Sequence, residues 1–303
     1  MVYFVSLRQI YTIIIRQMKD VALVLSSGGA RGLAHIGAIE ELESQGYHIT
    51  SIAGCSMGAL IGGVYAAGKL PEFREWMKTV DKKKMLELTD FSLSLNHIVK
   101  GTRIIKAIME FVPDMPIEDL PIPYCAVATD WKAGREVVID KGSLFEAIRA
   151  SISLPSFYEP VRRDDMILID GGVVNPIPLN RAKRHEGDLL VGVDVSGHDY
   201  KAQWEKQQKQ AEKHKHDKSL KAKLLDMIIP DNLEFNYYTL LSRTSSIMIR
   251  QNSILMAQLT NPDILIDIQM SRYGSFDYDK SEKLITIGRN KTRKALTALE
   301  AQP

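Results

Sequence analysis

An α/β fold with a mostly parallel central sheet is what this sequence predicts, and three observations carry the prediction. Short runs rich in Val, Leu and Ile, at Val21 to Ser26, Ile49 to Ala53 and Leu189 to Val195, have the length and mainly apolar composition of buried parallel strands. The first two lead through a glycine-containing turn into a helical pattern, the repeating unit of a parallel sheet. At 303 residues, 45% of them hydrophobic, the chain is long enough for one large α/β domain or two modest ones.

Composition narrows the function classes. A net charge of +2 provides no overall field for nucleic acid, so no nucleic-acid partner is expected and any basic patch must be local. The two cysteines, Cys55 and Cys125, are too few for a disulfide framework and lack metal-ligand spacing, which fits a reducing, cytoplasmic compartment. There is no H-E-x-x-H motif and no calcium loop, so no metal and no other cofactor is expected. Residues 1–17 are apolar with Arg8 and Arg16 as their only charges; Arg8 breaks the run and no A-x-A site follows, so neither a signal peptide nor a membrane span fits. They read as an N-terminal extension outside the core, either a helix for a membrane surface or partner or an upstream stretch of little consequence.

Taken in order, the first strand opens into Ser27-Gly28-Gly29-Ala30-Arg31-Gly32, followed by the helical spacing Leu33, Ile36, Ile39 and Leu42 up to Gly46. A glycine turn between strand and helix aims backbone N–H groups at one point and suits an anion. The dinucleotide fingerprint fails, because the glycine spacing is wrong and the next strand ends in no acidic residue. A phosphate loop fails for want of Gly-Lys-Ser/Thr. Of the two anions such a turn suits, a nucleotide phosphate and the oxyanion of an ester under attack, the second therefore gains. The second strand ends in Gly54-Cys55-Ser56-Met57-Gly58 and continues as a helix from Met57 to Ala67. That is the strand-turn-helix context of a nucleophile elbow, with Ser56 as candidate nucleophile and Gly54 and Gly58 giving it clearance. A G-x-S-x-G run arises by chance in about one chain of this length in ten, so its weight depends on what accompanies it.

Pro71 opens a helix carrying Phe73, Trp76 and Met77. Residues 82–119 follow as a looser helical insertion over the site, its apolar residues (Met85, Leu86, Leu93, Leu95, Ile104, Ile105, Ile108, Met109 and Phe111) serving as core or as an acyl-chain channel. Tyr124 to Thr129 and Glu136 to Ile139 read as strands around a turn in which Asp130 is a cap or a loop-organising carboxylate. Ser143 to Ile152 reads as a helix. Met166 to Ile169 is a strand that ends in Asp170-Gly171-Gly172, where the glycines leave room for a carboxylate to approach another side chain. A helix is expected after Asn180. From Gly197 the composition changes, and residues 200–223 carry eight lysines against Glu205, Glu212 and Asp217. They read as a solvated helical insertion or as a basic surface for anionic phospholipid headgroups, hence a peripheral membrane contact. Helical spacing over 232–259, a strand at Pro262 to Ile268 and a helix at Ser281 to Leu299 complete the chain. The division expected is 1–17, a catalytic domain at 18–196, and a C-terminal extension at 197–303 whose last strand and helix pack on the core. Oligomeric state is not written in these patterns.

Three of these motifs together resemble the signatures of the patatin-like phospholipase family: Leu23 through Gly32, Gly54-Cys55-Ser56-Met57-Gly58, and Asp170-Gly171-Gly172, in the right order and at fitting separations. The resemblance implies a three-layer α/β/α sandwich and lipid acyl-ester hydrolysis by a Ser-Asp dyad without histidine. It assigns Ser56 as nucleophile, Asp170 as base, and the amides of Gly28, Gly29 and Ala30 as oxyanion hole, with Arg31 and Gly32 beside it. Ser27 stands where the family often has glycine, and Cys55, where many members have threonine, is expected to pack beneath the elbow. Asp170 would have to be buried to act as a base near neutral pH, since a free aspartate has a pKa of about 3.9. The competing arrangement is a Ser-Asp-His triad using His185 or His198. A different class of function, a catalytically silent regulator or membrane adaptor on the same fold, is the alternative to a hydrolase.

Overall fold

Alternation along the first strand decides how the layers form. In β1 (Lys19–Leu25), Val21, Leu23 and Leu25 face the larger hydrophobic core, while Ala22 and Val24 face a smaller one on the other side of the sheet. The strand therefore needs cover on both faces. After a 3-10 turn at Gly29–Leu33 come α1 (Ala34–Ser44), β2 (Tyr47–Cys55), α2 (Met57–Ala66) and α3 (Leu70–Lys78). The structure, a computed structural model, describes residues 19–88, 97–99, 101–197, 237–270, 272–274 and 276–301. The expectations placed on residues 1–17, on the lysine-rich 200–223 and on His198 lie outside the described residues.

The rest of the chain adds α4 (Lys82–Leu88), β3 (His97–Val99), α5 (Thr102–Met109), β4 (Tyr124–Asp130), β5 (Arg135–Ile139) and α6 (Leu144–Ser151). Then follow β6 (Ser156–Tyr158), β7 (Val161–Arg163), β8 (Met166–Asp170), β9 (Leu189–Asp194), α7 (Tyr237–Thr260), β10 (Ile264–Asp267) and α8 (Ser281–Glu300). The eight-stranded sheet runs β10-β9-β1-β2-β4-β8-β7, with β5 also paired to β4. The strands from β10 to β4 are parallel; β8 and β5 run antiparallel to β4, and β7 antiparallel to β8. Met256 and Ala257 of α7 cover the smaller core, so helices lie on both sides of a mixed, mainly parallel sheet.

The closing helix is held tightly. A Cβ on Gly37 of α1 would overlap the carbonyl of Ile285, and one on Gly288 of α8 would overlap the carbonyl of Ala34, so the two helices touch backbone to backbone. Beside that contact Arg293 bonds the buried Glu41 carboxylate through two nitrogens, at 2.9 and 2.8 Å.

Two segments depart from the expectations. After Asn180 no helix forms: a 3-10 turn at Leu179–Arg181 gives way to extended backbone at Ala182. Here Asn175 donates to Asn180 Oδ1, and Arg181 is gripped by Glu136, so side-chain bonds take the place of a helical ladder. Within 82–119 the short strand β3 pairs with β6, a partner 59 residues later that local periodicity does not reveal. Ile105 and Ile108 join the main core, with Met85, Ile104 and Phe111 packed against it, whereas Met109 remains 41% exposed.

Candidate active site

The pairing Leu25↔Gly54 brings the two glycine turns side by side at the carboxyl edge of adjacent parallel strands, where α/β folds place their ligands. Ser56 follows the last residue of β2 with φ 53° and ψ −121°, a left-handed conformation that is strained for a residue with a side chain. The turn can exist because neighbouring positions carry no Cβ: one on Gly54 would lie 2.5 Å from the Gly58 carbonyl oxygen, and one on Gly58 would strike the carbonyls of Leu25 and Ser26.

Strand β4 brings the second residue in. Cys55 pairs with Val127 on one side of β4, and Asp170 pairs with Ala128 on the other, so residues 114 apart in the chain meet across one strand. Ser56 Oγ donates to Asp170 Oδ2 at 2.6 Å. The other carboxylate oxygen accepts from the Gly172 N–H at 2.7 Å, the Asp170 N–H donates to the Ser153 carbonyl at 2.9 Å, and Thr129 Oγ1 donates to the Asp170 carbonyl at 2.9 Å. Asp170 is thus held from four directions. It is 4% exposed, and burial pushes its carboxyl up to about 6, against the lowering effect of its bonds to Ser56 and Gly172.

The glycine turn lies beside this pair. Ser27 N–H donates to the Pro176 carbonyl at 2.8 Å, and a Cβ on Gly172 would sit 3.0 Å from Asp170 Oδ1 and 3.1 Å from Ser27 Oγ, which puts the turn against the loop that follows Asp170. Gly28 is extended, Gly29 has φ 56°, and the 3-10 turn starts there, so Gly29 and Ala30 occupy its first positions, whose N–H groups have no carbonyl ahead of them in the turn. Arg31 is buried and its Nε donates to the Gly28 carbonyl at 3.2 Å. Gly32 passes close to Met57 at the start of α2.

Other candidates separate cleanly. His185 bonds Asp188, which precedes β9 and also accepts from Thr50 in the first half of β2. His185 therefore stands at the amino edge of the parallel strands, opposite Ser56. Asp130 caps its turn, accepting from the Lys132 N–H at 3.1 Å. Cys55 is a buried free thiol under the elbow, and burial raises its pKa well above the ordinary range; Cys125 is pushed up to about 12 for the same reason.

Two contributors carried no signal in the sequence. Ser151, at the last turn of α6, accepts the Ser56 N–H on its Oγ at 2.8 Å and donates to the Val127 carbonyl at 2.6 Å, pinning the elbow to β4. His35 is fully buried with Nε2 2.9 Å from the Ser26 carbonyl, and burial lowers its pKa to about 4, so it is neutral and Nε2 carries the proton donated to that carbonyl. A lone serine near a helix end and a histidine in an apolar helix look alike whether they serve a site or only fill the core.

A sequence model of patatin-like phospholipase matches residues 23–183. An uncharacterized NTE family protein of Mycobacterium bovis is 46% identical over 177 residues, 58% of this chain and 49% of that protein. Patatin-like phospholipase domain-containing protein 6 of Homo sapiens is 33% identical over 189 residues, 60% of this chain and 14% of that protein. The neuropathy target esterase sws of Drosophila melanogaster is 32% identical over 188 residues, with 60% and 13% covered. This chain therefore spans about half of the mycobacterial relative and a far smaller share of the animal proteins. The solved structure of VipD from Legionella pneumophila superposes with a TM-score of 0.48 at 14% identity, over 93% of this chain and 67% of that one.

Proposed function

Because the chain belongs to the patatin-like phospholipase family, a family of lipid hydrolases, we propose that it is a serine hydrolase cleaving acyl esters of lipids, such as phospholipids, lysophospholipids or other carboxylic esters, through Ser56 and Asp170. The observation that carries this reading is the 2.6 Å bond from Ser56 Oγ to a carboxylate that burial has made more basic. At neutral pH Asp170 is ionised and takes the hydroxyl proton as Ser56 Oγ forms a bond to the ester carbonyl carbon. The carbonyl oxygen gains the negative charge and meets the N–H groups of Gly28, Gly29 and Ala30. Collapse of this intermediate breaks the ester bond. The alcohol leaves with the proton from Asp170, and the acyl group stays on Ser56. Water then attacks that acyl-enzyme, giving its proton to Asp170, and the carboxylic acid departs as Ser56 recovers its hydrogen.

Strain at Ser56 supports the same reading, since a half-buried serine held at a positive φ with its hydroxyl on a carboxylate is the arrangement of a nucleophile elbow. The test is a hydrolysis panel of phospholipids, lysophospholipids and short p-nitrophenyl esters, with fluorophosphonate labelling alongside. Turnover and labelling are expected in the native protein and lost in Ser56→Ala. A folded native protein that hydrolyses none of the panel and resists the probe would refute the reading.

A further inference from the structure

Helix α6 has two working faces. Leu144 and Ile148 press on Gly63 of α2, and Ser151 holds the Ser56 N–H. The other face, with Phe145, Glu146, Arg149 and Ala150, lines a cavity of about 390 Å³ that no residue of the dyad touches. That volume lies in the range of small-molecule sites, roughly 300–1,000 Å³.

The cavity is amphipathic in an ordered way. Ile105, Met109, Phe145, Val161 and Leu168 form an apolar floor. The acids sit at the amino end of α6: Asp114 is occupied with Ser143 Oγ and the Phe145 N–H, and Glu146 belongs to the first turn. On the β7 side are Arg162 and Arg163, exposed and without a carboxylate partner among the described residues. An apolar trough bordered by β7, where Arg163 shares the strand face of Val161 and Arg162 flanks it, fits a chain with an anionic head.

Arg149 joins this cavity to the candidate dyad. Its Nη1 donates to Ser153 Oγ at 2.6 Å, its Nη2 to the Glu159 carbonyl at 2.7 Å, and it lies over the Tyr158 ring at 5.7 Å. The carbonyl of Ser153 in turn accepts the Asp170 N–H. We propose that the cavity behind α6 binds a long-chain carboxylate, with its tail on the apolar floor and its head on Arg162 and Arg163, and that occupancy lowers turnover by drawing Arg149 away from Ser153. A long-chain carboxylate is the product class of the hydrolysis proposed above, on which the regulatory half of this inference rests; the binding half does not depend on it.

The probe is dodecanoate below its micellar concentration, titrated calorimetrically into Ser56→Ala and added to the native enzyme turning over p-nitrophenyl butyrate. Binding is expected, at least tenfold tighter than that of dodecanol, with a fall in kcat at unchanged KM. Arg162→Ala/Arg163→Ala, and separately Met109→Trp to fill the trough, should keep the basal kcat while weakening binding at least tenfold and abolishing the inhibition. Circular dichroism shows whether Met109→Trp folds, and the two exposed arginines provide the test if it does not. Unchanged binding in the arginine variant, or a rise in KM with kcat constant, would overturn the proposal, the second because it places the carboxylate at Ser56. If the native protein hydrolyses nothing while Ser56→Ala binds dodecanoate through the two arginines, the hydrolase reading fails and the binding site stands. An active esterase that binds no dodecanoate refutes the cavity alone.

Discussion

Replacing Asp170 with asparagine should make the protein more stable and nearly inactive. Burial raises the Asp170 carboxyl from the ordinary 3.8 to about 6 even though Ser56 and Gly172 bond it. A shift of about two pH units corresponds to about 3 kcal/mol of unfavourable free energy for the carboxylate in the folded protein. The sign follows from the raised folded-state pKa: stability from this group is fully present below about pH 4 and is lost as pH rises through about 6. Asparagine has the same shape, can still accept from the Gly172 N–H and face Ser56, and carries no charge to desolvate. Asp170→Asn is therefore expected to gain about 2–3 kcal/mol at pH 8 and almost nothing at pH 4, a rise of roughly 5 °C in Tm at the higher pH. It removes the base, so kcat should fall by a factor of about 10² to 10⁴. Urea denaturation at pH 4, 6 and 8 with esterase assays on the same samples measures both effects. A variant less stable than the native protein at pH 8, or a gain independent of pH, would show that desolvation does not govern Asp170.

The native enzyme should lose kcat/KM as pH falls through about 6, where Asp170 takes up a proton, and stopped assays from pH 5 to 8 would show it. His185→Ala should leave kcat within about twofold of native, because His185 stands at the far edge of the sheet bonded to Asp188; a loss of 10² or more on the same ester substrate would restore a triad. Ser151→Ala strands the Ser56 N–H and the Val127 carbonyl, so it should cost about 1–3 kcal/mol in denaturant melts and slow fluorophosphonate labelling of Ser56. His35 has a folded pKa lowered from 6.5 to about 4, so its contribution is complete above pH 6.5 and is lost as pH drops toward 4. His35→Gln should flatten that acid limb of the stability curve by up to about 3 kcal/mol, and an unchanged limb would place the acid sensitivity elsewhere.

What residue order determined about this protein is whatever neighbours in the chain decide among themselves. The apolar runs at Val21 and Ile49 had to become buried strands, and Gly54 and Gly58 leave the only space in which Ser56 can turn with φ 53°. The twin glycines after Asp170 likewise announced a carboxylate with room around it. The fold class, the elbow and the glycine turn were legible for that reason: sterics over a few residues do not depend on the rest of the molecule. Tertiary structure alone decided which of these pieces meet. Strand β8 had to run antiparallel beside β4 for Asp170 to come within 2.6 Å of Ser56, and β9 had to run parallel to β1 for His185 to fall at the opposite edge. Ser151 acts through side-chain-to-backbone bonds that span 95 and 24 residues and His35 through one that spans 9, and such bonds leave no periodicity or spacing behind them. The helix expected after Asn180 gave way for the same reason, since Glu136 takes hold of Arg181 from β5, with Asn175 bonding Asn180 within the loop. Pairings between distant segments are chosen by the packing of the whole core, and a local pattern holds no record of them.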